Sequence, residues 1–91
     1  MRSRYSAYVL QRPAYLLMTW HSSTRPSSMA FESGIKWLGL EVRRHRYLDD
    51  AHAQVEFVAR SSLAGRAVRQ HELSQFVREG GHWTYLSGQM V

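Results

Sequence analysis

Three glutamates are the side chains of this sequence best suited to acid–base chemistry. Glu41, Glu56 and Glu72 each alternate with apolar residues, and this alternation predicts that all three share one face of a sheet. Crowded carboxylates raise one another's pKa, and a carboxylate with a raised pKa in an apolar pocket can act as a general base. Glu72 is therefore the one candidate catalytic residue.

The neighbours of Glu72 limit what it can do. His71 precedes it and must point to the opposite face, toward the helices, because adjacent strand residues alternate. The two side chains therefore cannot act together on one substrate. A structural alternative is an ion pair of Glu72 with Arg60 or Arg78 across the sheet.

A second group of residues could bind a ligand where the second predicted helix ends. Trp20 can stack on a ring, His21 can exchange a proton, and Arg25 can hold an anion. The structural alternative is that Trp20 packs in the core, His21 interacts with the helix C-terminus and Arg25 anchors the loop.

Four aromatic residues complete the set of candidates for ligand or partner binding. They are Trp37, Phe76, Trp83 and Tyr85, which are predicted on the same face as the three glutamates. Aromatic residues with arginine mark the centres of protein contacts, so this mixed face either lines a cavity or forms an interface. The alternative is a half-exposed face whose aromatics only support strand pairing.

Several classes of site are disfavoured by composition and spacing. The sequence has no cysteine, which excludes disulfides, thiolate zinc sites and thiol nucleophiles. Its five histidines never fall at a metal-ligand spacing such as His-x3-His. No serine sits in a Gly-x-Ser-x-Gly turn, and there is no glycine-rich phosphate loop. We therefore expect neither a metal nor a cofactor.

Charge and hydropathy bear on partners and location. The sequence has twelve Lys and Arg and seven Asp and Glu, which gives a net charge of +5. A positive charge of this size is compatible with binding to RNA or to the ribosomal surface. The densest basic run, Arg43-Arg44-His45-Arg46, splits between two strand faces, which is typical of a solvated hairpin tip and does not favour nucleic acid. No apolar run approaches the roughly 18 residues of a membrane span, and no signal peptide is recognisable, so we expect a cytoplasmic protein.

Two helices and four strands must position these residues. Met1, Tyr5, Tyr8 and Val9 fall on one helical face within residues 1–10. Pro13 suits the first turn of a second helix that ends near Trp20, and residues 21–28 form a loop. Alternating segments at 35–47, 54–62, 67–78 and 82–89 predict the strands, with turns at Asp49-Asp50, Gly65 and Gly80-Gly81.

Short connections make the predicted sheet an antiparallel meander. A primed turn at Gly80-Gly81 would set Arg78 opposite Trp83 and Phe76 opposite Tyr85. Opposite the mixed face, the sheet has a predicted aliphatic face on which the helices should pack. Its members are Leu38, Leu40, Val42, Val55, Phe57, Ala59, Leu73, Val77 and Leu86.

Four blocks of the sequence resemble the middle domain of bacterial YchJ-type proteins. They are Arg-Ser-Arg-Tyr-Ser-Ala-Tyr at 2–8, Trp-His-x-Ser-Thr-Arg-Pro at 20–26, Val-Glu-Phe-Val-Ala-Arg at 55–60 and His-Glu-x-Ser-x-Phe-Val-Arg-Glu at 71–79. Ser22 stands where the family pattern has proline, and Thr84 and Ser87 replace an aromatic and an acidic residue. The resemblance implies a nuclear-transport-factor-2-like cone and no particular activity.

The resemblance also implies a larger architecture. Family members usually carry flanking SEC-C zinc motifs, whose cysteine ligands this sequence lacks. Their first helix begins upstream of the position of Met1, so Met1 looks like an internal residue of a longer protein. Apolar surface exposed by such a truncation would be covered by a homodimer or another partner.

These observations predict one domain over residues 1–91, with an α+β fold. Two N-terminal helices should pack on a curved four-stranded antiparallel sheet in a cone. The expected function is non-catalytic binding, of a small molecule in the cone or of a protein partner on the sheet face. The alternatives are a small isomerase- or dehydratase-like enzyme with a carboxylate base, and an RNA- or ribosome-associated basic module.

Overall fold

The computed structural model describes residues 1–31 and 34–91. Two helices precede four strands, as predicted. In chain order the elements are α1 (Arg2–Val9), α2 (Pro13–Met18), β1 (Ile35–Tyr47), β2 (His52–Leu63), β3 (Arg66–Glu79) and β4 (His82–Met90). None of the helices in the described ranges combines the length and the apolar character that crossing a membrane would require.

The two helices contact each other and are joined by residues 10–12. Pro13 occupies the first turn of α2, where its missing N–H leaves no intrahelical hydrogen bond unmade. The buried residues of α1 are Arg4 and Ala7, and Leu16 of α2 is fully buried. The face of α1 predicted from apolar spacing is only partly correct, because Val9 is 44% exposed whereas Arg4 is buried.

The four strands pair in chain order as an antiparallel meander, which confirms the predicted topology. The β3–β4 hairpin turns at Gly80 and Gly81, whose φ angles of 59° and 82° lie in the left-handed region. This turn pairs Arg78 with Trp83, and Phe76 with Tyr85, as predicted.

The helices cover one face of the sheet, called the inner face below. Its core consists of Ala53, Val55, Phe57, Ala59 and Phe76. Partly buried residues from α1, β1 and β4 pack against that core, namely Met1, Tyr5, Trp37, Leu40, Val42, Trp83 and Tyr85. Burial of this apolar and aromatic surface supplies the main driving force for closing the helices onto the sheet.

The predicted division of the sheet into aliphatic and mixed faces is wrong for β3 and β4. The tight turn at Ala64-Gly65 pairs Leu63 with Arg66, and this register sets Phe57 opposite Glu72. A shift of one residue moves every side chain of a strand to the other face. The inner face therefore carries four residues expected on the mixed face, namely Glu72, Phe76, Trp83 and Tyr85. Leu73 and Val77 lie on the opposite side of the sheet, called the outer face, and Leu86 lies in a β-bulge.

The prediction for β1 is correct for Leu40, Val42 and Glu41 but wrong for Trp37 and Leu38, because that strand contains two irregularities. Its pairing with β2 shifts between Trp37 and Gly39 and again between Val42 and Arg44. The first bulge lets Trp37 share the inner face with Leu40, although their positions differ by three and a regular strand would place them on opposite faces. It also leaves Leu38, predicted on the aliphatic face, 56% exposed.

Candidate functional site

Two adjoining cavities lie between the helices and the inner face. The larger has a volume of about 450 Å³, and the smaller about 260 Å³. Met1 and Arg4 line both, so the two cavities adjoin at the start of α1. The walls combine apolar and aromatic surface with a few polar groups, the composition typical of small-molecule sites.

Arg4 is the central polar residue of this region. It is only 4% exposed, and its Nη1 donates hydrogen bonds to the Leu16 carbonyl (3.1 Å), the Thr19 carbonyl (3.0 Å) and Thr19 Oγ1 (2.6 Å). Burial lowers the pKa of the guanidinium, and the neighbouring tyrosine phenols oppose that shift. Arginine nevertheless remains cationic at neutral pH.

Aromatic rings pack on the same guanidinium. Its Cζ lies 5.4 Å from the Trp20 ring and 4.9 Å from the Tyr85 ring, and these two rings meet edge to face at 5.0 Å. A backbone bridge holds this arrangement, because His21 N–H donates to the Tyr85 carbonyl and Tyr85 N–H donates to the Thr19 carbonyl, each at 2.7 Å. The chain after α2 is thereby attached to β4, and Arg4 is locked between them.

Glu72 enters the smaller cavity from β3. One of its carboxylate oxygens accepts a 2.8 Å hydrogen bond from the fully buried Ser74 hydroxyl. The carboxylate packs over Gly88, in the space that a Cβ would fill, and the Tyr85 hydroxyl lies 2.7 Å from the same point. A residue without a side chain at position 88 therefore lets a carboxylate and a phenol lie side by side.

Tyr85 stays protonated in this environment. Burial raises the pKa of its hydroxyl to about 12, and the nearby Glu72 charge adds to that shift, whereas the Arg4 cation opposes it. At neutral pH the smaller cavity thus presents a phenol O–H as a hydrogen-bond donor, next to a carboxylate that accepts and a guanidinium that donates.

Four of the residues predicted from sequence line the smaller cavity. Trp20, Trp37, Glu72 and Tyr85 come together there, and Phe76 and Trp83 line the larger cavity. They lie on the face that the helices cover, a position that suits the lining of a cavity, one of the two uses predicted for them, and does not suit an open sheet interface. The register of β3 and β4 is the physical reason for this difference.

The predicted cluster of three glutamates is not formed. Glu41 lies outside the cavities, where it pairs with Arg43 (2.8 Å) and Arg60 (3.6 Å). Glu56 lies on the outer face against His71, with 2.7 Å between Glu56 Oε2 and His71 Nε2. The prediction that His71 points toward the helices is therefore wrong. The expected pairing of Glu72 with Arg60 or Arg78 is also absent among the described residues, since Arg60 pairs with Glu41 and Arg78 stacks on Trp83 at 5.1 Å.

His21 and Arg25 hold the loop that follows α2. Arg25 donates through Nε and Nη2 to the Trp20 carbonyl, at 3.1 and 2.8 Å. His21 Nε2 lies 3.5 Å from Glu79 Oε2, and its Nδ1 accepts from the Ser23 N–H at 3.1 Å. These contacts match the structural alternative for Arg25, whereas His21 contacts a β3 carboxylate rather than the helix end. Neither residue lines the two cavities.

Arg4 is the central cavity-lining residue that sequence reasoning missed. On a helix of eight residues an arginine is ordinarily a solvated cation, and the apolar spacing of α1 pointed to Tyr5 and Tyr8 instead. Its place within the Arg-Ser-Arg-Tyr block was the one available indication. In the part of the chain that the structure describes, no three His, Asp or Glu side chains lie close enough to hold a metal ion.

Comparisons with known proteins agree with this architecture. Residues 1–88 match the family model described as YchJ, middle NTF2-like domain. A UPF0225 protein of Polaromonas naphthalenivorans is 65% identical over 88 residues, covering 97% of this chain and 65% of that protein. A UPF0225 protein of Methylibium petroleiphilum is 59% identical over 91 residues, covering 99% of this chain and 67% of that protein. The chain thus spans about two thirds of the length of these relatives.

Solved structures show the same fold. A SEC-C motif containing protein from Rhodopseudomonas palustris superposes with a TM-score of 0.87 at 30% identity, over 100% of this chain and 75% of that one. A SEC-C motif containing protein from Psychrobacter arcticus gives a TM-score of 0.77 at 32% identity, over 100% of this chain and 58% of that one. With its two helices, its four-stranded meander and the family match over residues 1–88, the chain belongs to the YchJ middle-domain family of NTF2-like fold, found in the UPF0225 proteins.

Proposed function

We propose that this domain is a non-catalytic binding module that holds a small molecule between α1 and the inner face. The observation that carries the proposal is the pair of adjoining cavities, about 450 and 260 Å³, that meet at Arg4. Their combined size is within the usual range for ligand sites. Aromatic walls from Trp37 and Trp83, with polar groups at Arg4, Glu72 and Tyr85, supply both apolar contact and orientation.

Binding of a protein partner on the sheet face is the less favoured form of this proposal. The aromatic residues that suggested such an interface, Trp37, Phe76, Trp83 and Tyr85, lie under the helices. A single domain over residues 1–91, a cytoplasmic location and a homodimer stay predictions.

A fragment screen by two-dimensional NMR tests the binding proposal. We expect aromatic fragments to shift the indole N–H resonances of Trp37 or Trp83, which line the smaller and the larger cavity respectively. Ala53→Leu and Ala59→Leu, which put bulk into the larger and the smaller cavity, should weaken binding at least tenfold in the cavity concerned.

Ala67→Leu is the matched control, because Ala67 is exposed on β3 outside both cavities. Overpacking costs about 1–3 kcal/mol, so a native-like spectrum of each variant is required before its affinity is interpreted. A screen without fragment-induced shifts at either indole, or equal binding by all three variants, would refute the binding module.

A second candidate function is general-base chemistry in the smaller cavity. It is favoured by the position of Glu72, beside the Tyr85 hydroxyl and in the cavity that Arg4 lines. A carboxylate can remove a proton next to a carbonyl, while a phenol and a guanidinium can stabilise the enolate oxygen that forms.

Deuterium incorporation from D2O into a small ketone such as cyclohexanone, followed by NMR, tests the enzyme alternative. Wild-type protein should accelerate exchange at the carbon next to the carbonyl, and Glu72→Gln should abolish the acceleration. Glu56→Gln, on the outer face, is the control. Equal exchange rates for wild type and Glu72→Gln would exclude Glu72 as the base for this substrate class.

A further inference from the structure

The Arg4 guanidinium is a buried cation without a counter-ion in the described residues. The five ion pairs of that part of the chain involve other residues. Its hydrogen bonds to Leu16 and Thr19 all use Nη1, and the Tyr8 hydroxyl is a further hydrogen-bonding neighbour of the guanidinium, so the groups that contact this cation in residues 1–31 and 34–91 are neutral. Charges at buried positions are usually paired with an opposite charge, and hydrogen bonds to neutral groups alone leave the charge of this guanidinium unbalanced. An anion in the larger cavity, which Arg4 lines, would supply the missing opposite charge.

The larger cavity has the electrostatic character to receive that anion. Its basic lining groups are Arg2 and Arg4 together with the His45 imidazole, and no acidic residue of the described chain lines it. The Ser3 hydroxyl accepts a 2.8 Å hydrogen bond from the Tyr15 hydroxyl and can itself donate to an anion. The smaller cavity is different, because the Glu72 carboxylate there would repel an anion.

The opposite wall of the larger cavity is apolar. Val42, Val55, Phe76 and Trp83 line it, and Trp83 also contacts Tyr47 with 5.7 Å between ring centroids. At about 30 Å³ per water-sized group, the volume accommodates on the order of fifteen non-hydrogen atoms. This wall suits an apolar ring or chain, with the charged group directed toward α1.

We propose that the larger cavity binds a small organic anion, a carboxylate or a phosphate ester attached to an apolar ring, with Arg4 as its anion-binding group. The inference rests on the proposed binding function and specifies its ligand class. Arginine presents two parallel N–H donors that match the oxygens of either group, so both chemistries are recognised by the same contact. Arg4 is held ready for it by the carbonyls of Leu16 and Thr19 and by the rings of Trp20 and Tyr85.

Matched pairs of probes that differ in charge test the proposal on the wild-type chain. We would titrate 1-naphthaleneacetate against the neutral 1-naphthaleneacetamide, and 1-naphthyl phosphate against 1-naphthol, following the Trp83 indole N–H by NMR. Each anion should bind at least about tenfold more tightly than its neutral partner, because a charge-assisted bidentate contact replaces a neutral one. The two anions, compared with each other, distinguish a carboxylate from a phosphate ligand.

Arg4→Gln should abolish the preference for the anions while affecting the neutral probes little. Arg69→Gln removes the same charge from an exposed outer-face position and should keep the preference. Should Arg4→Gln fail to fold, the wild-type comparison of charged and neutral probes still decides the matter.

Equal binding of anion and neutral partner, or shifts confined to outer-face residues, would overturn the inference. If neutral fragments bind the cavity and anions do not, the ligand class is wrong while the binding module stands. If neither neutral fragments nor anions bind, both proposals fall.

Discussion

The Glu72 carboxylate lies against Gly88, on the neighbouring strand, in the space that a Cβ at position 88 would occupy. This contact is possible because Gly88 has no side chain, and it leaves the carboxylate in place to accept a hydrogen bond from the buried Ser74 hydroxyl. The orientation of the Glu72 carboxylate in the smaller cavity is therefore set by a residue that has no side chain.

Gly88→Ala should displace Glu72 and break its hydrogen bond with Ser74. Leaving a buried hydroxyl unpaired costs about 1–3 kcal/mol, so we expect a loss in the free energy of unfolding at the lower end of that range. Gly39→Ala is the control, since nothing lies within 4 Å of a Cβ built there. Urea denaturation of both variants measures the difference.

A double-mutant cycle identifies the cause of that loss. In a Glu72→Ala background, Gly88→Ala should cost less than it does in wild type, because the displaced group is gone. Strict additivity of the two substitutions would show that the contact between Glu72 and Gly88 does not determine the effect.

Arg4→Met should destabilise the domain strongly. The substitution keeps most of the side-chain volume but removes three hydrogen bonds and two cation–π contacts. Hydrogen bonds to charged groups contribute about 1.5–3 kcal/mol each, and the methionine recovers part of that by packing, so we expect a net loss of about 2–4 kcal/mol. Chemical denaturation measures it.

Arg2→Met is the matched control for that loss. Arg2 is exposed on the same helix, and surface substitutions usually change stability by less than about 0.5 kcal/mol. Similar losses for the two variants would refute the central role of Arg4.

Much of the fold could be predicted from local patterns, but the assignment of faces could not. Alternating apolar and polar residues identify β2 and β3 as strands but do not show which side of each strand points toward the helices. In β3 both sides carry apolar residues, Leu73 on one and Phe76 on the other. Only the turn at Ala64-Gly65 sets which one points inward. The bulge at Leu38 likewise leaves no clear mark in the sequence.

Part of the candidate site could be predicted from the sequence, namely the aromatic residues that line it. Trp20, Trp37 and Tyr85 were selected by type and do line the smaller cavity. Arg4 could not be found in this way, because its burial depends on carbonyls at the end of α2 and on rings from two distant segments. Those partners are brought together by tertiary packing and by the bridge between Trp20 and Tyr85.

Tyr85 should make the domain less stable at high pH. Burial raises its pKa to about 12 in the folded state, above the value near 10 of an unfolded tyrosine. Between these two values the unfolded state releases a proton that the folded state keeps, so stability falls as pH rises through that interval. Urea unfolding between pH 9 and 12 should show a steeper loss for wild type than for Tyr85→Phe.

Ultraviolet titration of tyrosinate checks the same assignment directly. The difference between wild type and Tyr85→Phe should have a midpoint of about 12. Tyr47→Phe, a change at a 66% exposed residue, should leave the pH dependence of stability as it is in wild type. A difference titration with its midpoint near 10 would contradict the buried phenol.

Ser22→Pro should release the loop after α2 from β3. Ser22 donates to Glu79 through both its N–H (3.2 Å) and its hydroxyl (2.5 Å), and the hydroxyl contact is the largest cause that lowers the pKa of Glu79. Proline removes both donors, so the pKa of Glu79 should rise toward its ordinary value. Ionised Glu79 adds stability at pH values above the pKa of an unfolded glutamate, and this stability is lost as the pH falls through the lowered pKa of the folded state. In Ser22→Pro that contribution should be smaller. An NMR titration of the Glu79 side-chain carboxyl carbon measures the shift, with Ser23→Ala as the control. An unchanged Glu79 pKa in Ser22→Pro would mean that His21 and Arg25, rather than Ser22, hold this carboxylate ionised.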